Sequence, residues 1–277
     1  MLTMKLSIVT SFATLKYSLE ETIRIVGELG YDGVDIAAWW PHADPDAMDA
    51  VRRREVKELM NAHGLEAGAL ATVGLGIADT SLTVREATVQ YDMKCLDLAA
   101  DLGYSRVEML GGWMWRMLGI PFEKTWEITV QNFKRVSEHA EDVGVMLAME
   151  FEPSLPLIPH DLNQLKRFID EVGSEYCKAN LDIGHCNIRS ANVTEEQIRA
   201  LKGYIVHTHI NDNNGETDAN WLPGLGTTPY EQILRILDEM GYEGYLAVEL
   251  EAAPRPVEWA RQAKTYLENL LEETGYR

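Results

Sequence analysis

The sequence predicts an α/β fold, a single (β/α)8 TIM barrel, on three observations. Its 277 residues lie close to the roughly 250 typical of that barrel. Short β-type runs alternate along the chain with longer segments of helical spacing, the mark of repeated βα units. One αβ joint also occurs three times, in ELGYDGVDI, DLGYSRVEM and EMGYEGYLAV. In each, a helix ends, Gly takes the left-handed cap, Tyr packs and the next strand begins.

The eight expected strands are Lys5 to Phe12, Gly33 to Trp39, Leu65 to Thr72, Arg106 to Gly111, Val145 to Glu152, Cys177 to Gly184, Tyr204 to Asn211 and Tyr245 to Glu251. Between them, segments such as Leu19 to Leu29 and Val89 to Leu102 place apolar residues three and four apart, as outer helices require. Val257 to Leu271 has the same spacing and is read as the closing helix. A doubly wound sheet, the competing architecture, calls for a glycine-rich loop after the first strand. The first loop here reads SFATLKYSLEE. No linker or low-complexity tract divides the chain, so residues 1–277 are expected to form one domain.

Composition narrows the function. A formal net charge of −19 repels phosphate backbones, which excludes nucleic acid as a partner. No stretch approaches the roughly 20 apolar residues of a membrane span, and the opening MLTMKLSIVTSF reads as a strand rather than a signal peptide. Cys95, Cys177 and Cys186 form no CxxC pair and no disulfide framework, which fits a reducing cytoplasm. Cys177 and Cys186 are expected to be packing residues. Exposed outer helices leave room for a homo-oligomer.

Active sites of this fold are assembled at the C-terminal ends of the strands. Alternation along VMLAMEFE puts Glu150 and Glu152 on the inward face of the fifth strand, opposite Leu147, Met149 and Phe151. The eighth strand repeats the pattern with Glu249 and Glu251. Asp182, His207, His209 and Asn211 point inward from the sixth and seventh, with His185 just past a strand end. Carboxylates converging at the mouth of a narrow barrel repel one another unless something positive sits among them. A divalent cation is the simplest solution. Oxygen and imidazole donors without thiolate suit Mn2+, with Mg2+, Co2+ or Zn2+ as alternatives. His207 is expected to be a satisfied core histidine, and His42, His63, His139 and His160 surface residues.

The succession LAMEFEP, DIGH, HTHINDN and LAVELE resembles the sugar phosphate isomerase and epimerase superfamily, built on the xylose isomerase-like TIM barrel. D-tagatose 3-epimerase, hydroxypyruvate isomerase, inosose dehydratase and, more distantly, endonuclease IV belong to it. The resemblance implies one metal ion held by Glu150, Asp182, His209 and Glu249, and a substrate contact at His185. Glu152 or Glu251, two residues from a chosen Glu and on the same face, could take its neighbour's place. In TDANWLPGLGT, Asp218 matches an acid of the DNA-repair members, but Asn220 stands where they have His, which argues against a multinuclear site. The region NDNNGET lacks an Arg that ketose 3-epimerases tend to carry there.

The resemblance further implies proton transfer next to a carbonyl, through an enediolate, on a small sugar, ketose or related polyol, with Glu150 and Glu249 moving the proton. Action from opposite faces gives epimerisation; action by one carboxylate gives isomerisation. Expulsion of a β-hydroxyl from the same intermediate gives the alternative, a carbon–oxygen lyase or dehydratase on a keto-sugar or cyclitol. A non-catalytic binding barrel ranks last, because all four ligands are present. Aromatic faces pack against sugar C–H faces, so Trp113 and Trp115 join His185 and Asp218 as expected substrate contacts. The lack of a strong basic cluster at the strand ends favours an unphosphorylated substrate.

Overall fold

Each expected strand forms, and each is shorter at its C-terminal end. The computed structural model, which describes residues 4–114, 118–251 and 253–276, contains β1 (Lys5–Ile8), β2 (Gly33–Ala37), β3 (Glu66–Ala71), β4 (Arg106–Met109), β5 (Met146–Glu150), β6 (Cys177–Asp182), β7 (Ile205–Ile210) and β8 (Tyr245–Val248). All pair in parallel, in the order β1-β8-β7-β6-β5-β4-β3-β2. The ring closes through a Val9–Asp35 bridge and a 2.9 Å bond from the Asp32 N–H to the Leu6 carbonyl. The lost strand ends pass into irregular backbone or turns. The predicted Lys5 to Phe12 run, for example, bends into a 3-10 turn at Thr10–Ala13.

Eight helices surround the barrel: α1 (Leu19–Leu29), α2 (Ala50–Ala62), α3 (Leu82–Leu102), α4 (Phe122–Val143), α5 (Leu162–Val172), α6 (Glu195–Arg199), α7 (Tyr230–Met240) and α8 (Pro256–Thr274). Ser18 and Glu21 form a capping box at the start of α1, satisfying two N–H groups that a helix otherwise leaves unpaired. The repeated joints work as the sequence predicts. Gly30, Gly103 and Gly241 take φ of 75°, 93° and 81°, where an L side chain is strained. The tyrosines that follow are buried, and their hydroxyls donate to main-chain carbonyls: Tyr31 to Ala260, Tyr104 to Val34 and Tyr242 to Tyr245.

Outward residues of the strands, among them Leu147, Met149, Leu181, Ile210, Leu246 and Val248, belong to the apolar core between sheet and helices. Trp126, Phe133 and Phe168 anchor it on the α4 and α5 side, with edge-to-face ring pairs at 5.8 and 5.2 Å. Burial of each such side chain is worth about 1.5–3 kcal/mol. No described helix is long and apolar enough to cross a membrane.

His207 is fully buried. Its Nε2 lies 2.6 Å from Asp35 Oδ2. Burial pushes the imidazole down against the pull of Asp35, and the charge and hydrogen bond of His207 hold the Asp35 carboxyl low despite burial. His42 corrects an expectation: it is buried, bonded to Thr10 Oγ1 at 3.0 Å and to the Tyr17 carbonyl at 3.1 Å. Its loop packs against the segment that follows the first strand, which local sequence does not reveal.

A Cβ on Gly68 would lie 2.0 Å from Asp35 Oδ1. Gly68→Ala must therefore displace a carboxylate locked to His207, and we expect a loss of about 1–3 kcal/mol, read as a lower urea midpoint.

Candidate metal centre

Register sets the cluster. In the ladders, Asp182 pairs with His209 and His209 with Ala247, while Glu150 pairs with Asn180. Glu150, Asp182 and His209 thus reach the barrel axis at nearly one level from adjacent strands. Glu249, the residue after β8, completes the ring; its N–H donates to the Ile210 carbonyl at 3.1 Å. One donor atom from each of Glu150, Asp182, His209 and Glu249 lies within 4.8 Å of the others. The first three are buried, and the Glu249 side chain is 19% exposed.

This donor set fits a single divalent cation. Oxygen and nitrogen ligands sit about 2.0–2.2 Å from such an ion, so ligands on opposite sides are roughly 4.2 Å apart. His209 Nδ1 is 3.4 Å from Glu150 Oε2 and 3.5 Å from Glu249 Oε2. Neither His209 ring nitrogen has a hydrogen-bond partner among the described residues, a costly state for a buried polar group. Carboxylate orientation is fixed from behind. Asn180 Nδ2 donates to Glu150 Oε2 at 2.9 Å, and Asn211 Nδ2 donates to Asp182 Oδ2 at 2.8 Å.

The neighbouring acids shape one another's titration. Burial, reinforced by the charges of Glu150 and Glu249, pushes Asp182 up to about 8 against the pull of His185. Burial would raise Glu150 too, but the charges of His209 and His185 and the Asn180 amide hold it below the usual carboxylate range. Burial opposes charge on His185 and His209, yet the surrounding carboxylates hold both imidazoles well above their ordinary value.

A second group stands beside the first. Glu152, His185 and Asp218 also converge: His185 Nε2 lies 3.2 Å from Asp218 Oδ2 and 3.7 Å from Glu152 Oε2. His185 Nδ1 is 2.9 Å from the Phe151 carbonyl. Glu152 therefore belongs with His185 rather than with the four-residue ring. Glu251 lies in the turn after β8 and in the cavity wall at its rim, where loss of surrounding solvent and the Glu249 charge push it up to about 7.

Glu150, Glu249, Glu152, His185, Asp218 and Glu251 line a cavity of about 290 Å³, together with Trp39, Thr72 and Glu108. Trp113 is not in its wall among the described residues; it bridges to Leu157 instead. Trp115 lies outside the described residues. Sequence reasoning missed Glu108, buried on β4 with its carboxylate pushed well up by burial and the charge of Glu150. It also missed Asn180 and Asp35. Strand alternation marks all three as the polar, inward members of apolar runs.

The sequence profile of the xylose isomerase-like TIM barrel family matches residues 23–270. A fructoselysine 3-epimerase of Escherichia coli O157:H7 is 26% identical over 281 aligned residues, covering 92% of this chain and 94% of that protein. An inosose dehydratase of Clostridium perfringens is 23% identical over 168 residues, 52% of this chain and 54% of its own. Among solved structures, a D-tagatose 3-epimerase-like protein superposes with a TM-score of 0.85 at 21% identity, covering 98% of each chain. The IOLI protein, crystallised with a binding zinc atom, gives 0.82 at 20% identity over 98% of this chain and 99% of that one.

Asp182 and Glu251, raised to about 8 and about 7, bind protons more tightly folded than unfolded, where such carboxyls titrate near ~4. The folded chain then holds extra protons across that window, so stability falls as pH rises. His185 and His209, also raised, act in the same direction. His207 and His42, lowered by burial, are neutral in both states above roughly 6.5. Chelator-treated protein is expected to lose Tm between about pH 6.5 and 8, as calorimetry will show; a rising Tm there would contradict it.

Proposed function

Because the chain belongs to the xylose isomerase-like TIM barrel family, we propose that it is an epimerase or isomerase of an unphosphorylated ketose or related polyol. In this reading Glu150, Asp182, His209 and Glu249 hold one divalent cation. The observation that carries the reading is the convergence of those four donor sets beside a sugar-sized cavity that Glu150 and Glu249 line, with neither His209 nitrogen hydrogen-bonded among the described residues. No described Lys or Arg lines that cavity, which supports a substrate without phosphate. Mn2+ is the preferred ion, with Zn2+, Mg2+ or Co2+ as alternatives. A cation so held supplies polarisation of the substrate carbonyl and neighbouring hydroxyl, acidifying the C–H beside them.

The chain's own groups move the proton. Glu150, kept ionised by His185, His209 and Asn180, is ready to take it. Glu249 comes from β8, separated in the ring from β5 by β6 and β7, and approaches from another side. Removal of the proton at one face and return at the other inverts the carbon, so the arrangement favours epimerisation. His185, anchored at Nδ1 by the Phe151 carbonyl, would meet a substrate hydroxyl at Nε2 in place of Asp218. A second reading has its own support: a protonated imidazole at the cavity wall can protonate a leaving hydroxyl, as a dehydratase requires.

A panel of ketoses with added Mn2+ in deuterated water tests the proposal. Deuterium at a carbinol carbon with an inverted product supports epimerisation, an enone chromophore supports dehydration, and neither with any sugar or cyclitol defeats both readings. Glu150→Gln and Glu249→Gln are each expected to slow exchange by about 10²–10⁴-fold. Asp182→Asn, which keeps the shape but removes charge, should lower bound metal below one equivalent in elemental analysis. Full occupancy and activity in that variant would remove Asp182 from the ligand set.

A further inference from the structure

Beside the carboxylate-lined cavity lies a second and larger hollow. This groove, of about 480 Å³, follows the first turns of α3 beneath the segment joining it to β3, and Trp39 and Val73 belong to the walls of both. Its chemistry is different. Carboxylates and an imidazole surround the cavity, whereas the groove is walled by Val73, Leu75, Val84 and Ala87 beside Trp39, with Asp44 the one charged residue described in its wall. Val73 and Val84 are 45% and 42% exposed, so apolar carbon faces water on a chain of net charge −19. Exposed apolar concavities of this kind mark binding surfaces.

The groove is also stiff. The Tyr91 hydroxyl donates to the Ala38 carbonyl at 2.7 Å, tying α3 to the backbone that presents Trp39. Asn132 Nδ2 donates to the Ile77 carbonyl at 2.7 Å, tying the overlying Leu75–Ala78 turn to α4. A Cβ on Gly76 would lie 2.5 Å from Thr88 Oγ1, so that turn sits tight on the helix. A preformed apolar trough that shares the walls Trp39 and Val73 with a carboxylate-lined pocket suits a ligand with a hydroxylated head and an apolar appendage, and costs little ordering to fill.

We infer that the substrate is a ketose bearing an apolar aryl or alkyl substituent, with the sugar among the carboxylates and the substituent in this groove. The inference rests on the epimerase reading and narrows it. The substituent takes no part in bond making; it adds binding, and its contribution appears as selectivity.

The test compares free ketohexoses with their benzyl ethers at the first and at the last carbon, by kcat/KM for solvent deuterium exchange in the Mn2+-supplemented protein. At least one ether is expected to exceed its parent sugar roughly tenfold. Ala87→Trp, an exposed helix position that fills the trough, is expected to lower that ratio by about the same factor. Exchange with free ketoses but no preference for either ether overturns this inference alone. A ratio untouched by Ala87→Trp also overturns it, and leaves the groove to some other occupant such as a protein partner. Exchange with no sugar at all overturns the epimerase reading and this inference with it.

Discussion

The structure is organised around like charge concentrated at one end of a barrel. Glu108, Glu150 and Asp182 are buried there, Glu249 is half-buried beside them, and Glu152 and Asp218 stand one step away. Buried carboxylates repel one another and lose hydration. What keeps them in place is local and specific: amide donors from Asn180 and Asn211, and two imidazoles, His185 and His209, that the acids themselves keep protonated. A cation among Glu150, Asp182, His209 and Glu249 would replace the His209 proton as the counter-charge. That neither His209 ring nitrogen makes a hydrogen bond among the described residues is the clearest sign of such a role.

Beneath that charged layer the barrel is quiet. The Asp35–His207 pair lies one turn of the side-chain pattern below His209, with the two imidazole rings edge to face at 5.6 Å. It is sealed, and Gly68 is the only size of residue its neighbour strand can offer. The outward residues of the same strands are apolar and packed under the helices. Each strand therefore serves two layers, one that stabilises and one that carries chemistry, as the fold in general divides its two ends.

The cavity above the charged ring is small and polar, and its neighbour along α3 is larger and apolar. Their shared wall at Trp39 matters because an indole is apolar on its face and polar at its N–H edge. The loops that follow β2 and β3, rather than those after β4, supply this wall. That displaces the aromatic contribution from Trp113 to Trp39 and gives the mouth of the barrel two environments in sequence.

Much of this was legible before folding. Eight strands, their order, the three glycine-tyrosine joints and the inward parity of Glu150, Asp182, His209 and Glu249 follow from period-two and period-3.6 patterns, which are local properties of the backbone. Strand ends were overestimated because side-chain alternation continues for a residue or two after the hydrogen-bonded ladder stops, as at Glu152 and Glu251. Tertiary structure alone separated residues the pattern treats as equals. Glu150 and Glu152 share a face, yet only Glu150 reaches both His209 and His185, while Glu152 meets His185 alone. Glu249 reaches the ring while Glu251 stays at the rim. Asp35 and His207, 172 residues apart, became partners only when the barrel closed. Parity is set by one strand's own geometry; which inward residues meet is set by the register between strands and by where each strand ends, and neither is contained in any local stretch of the chain.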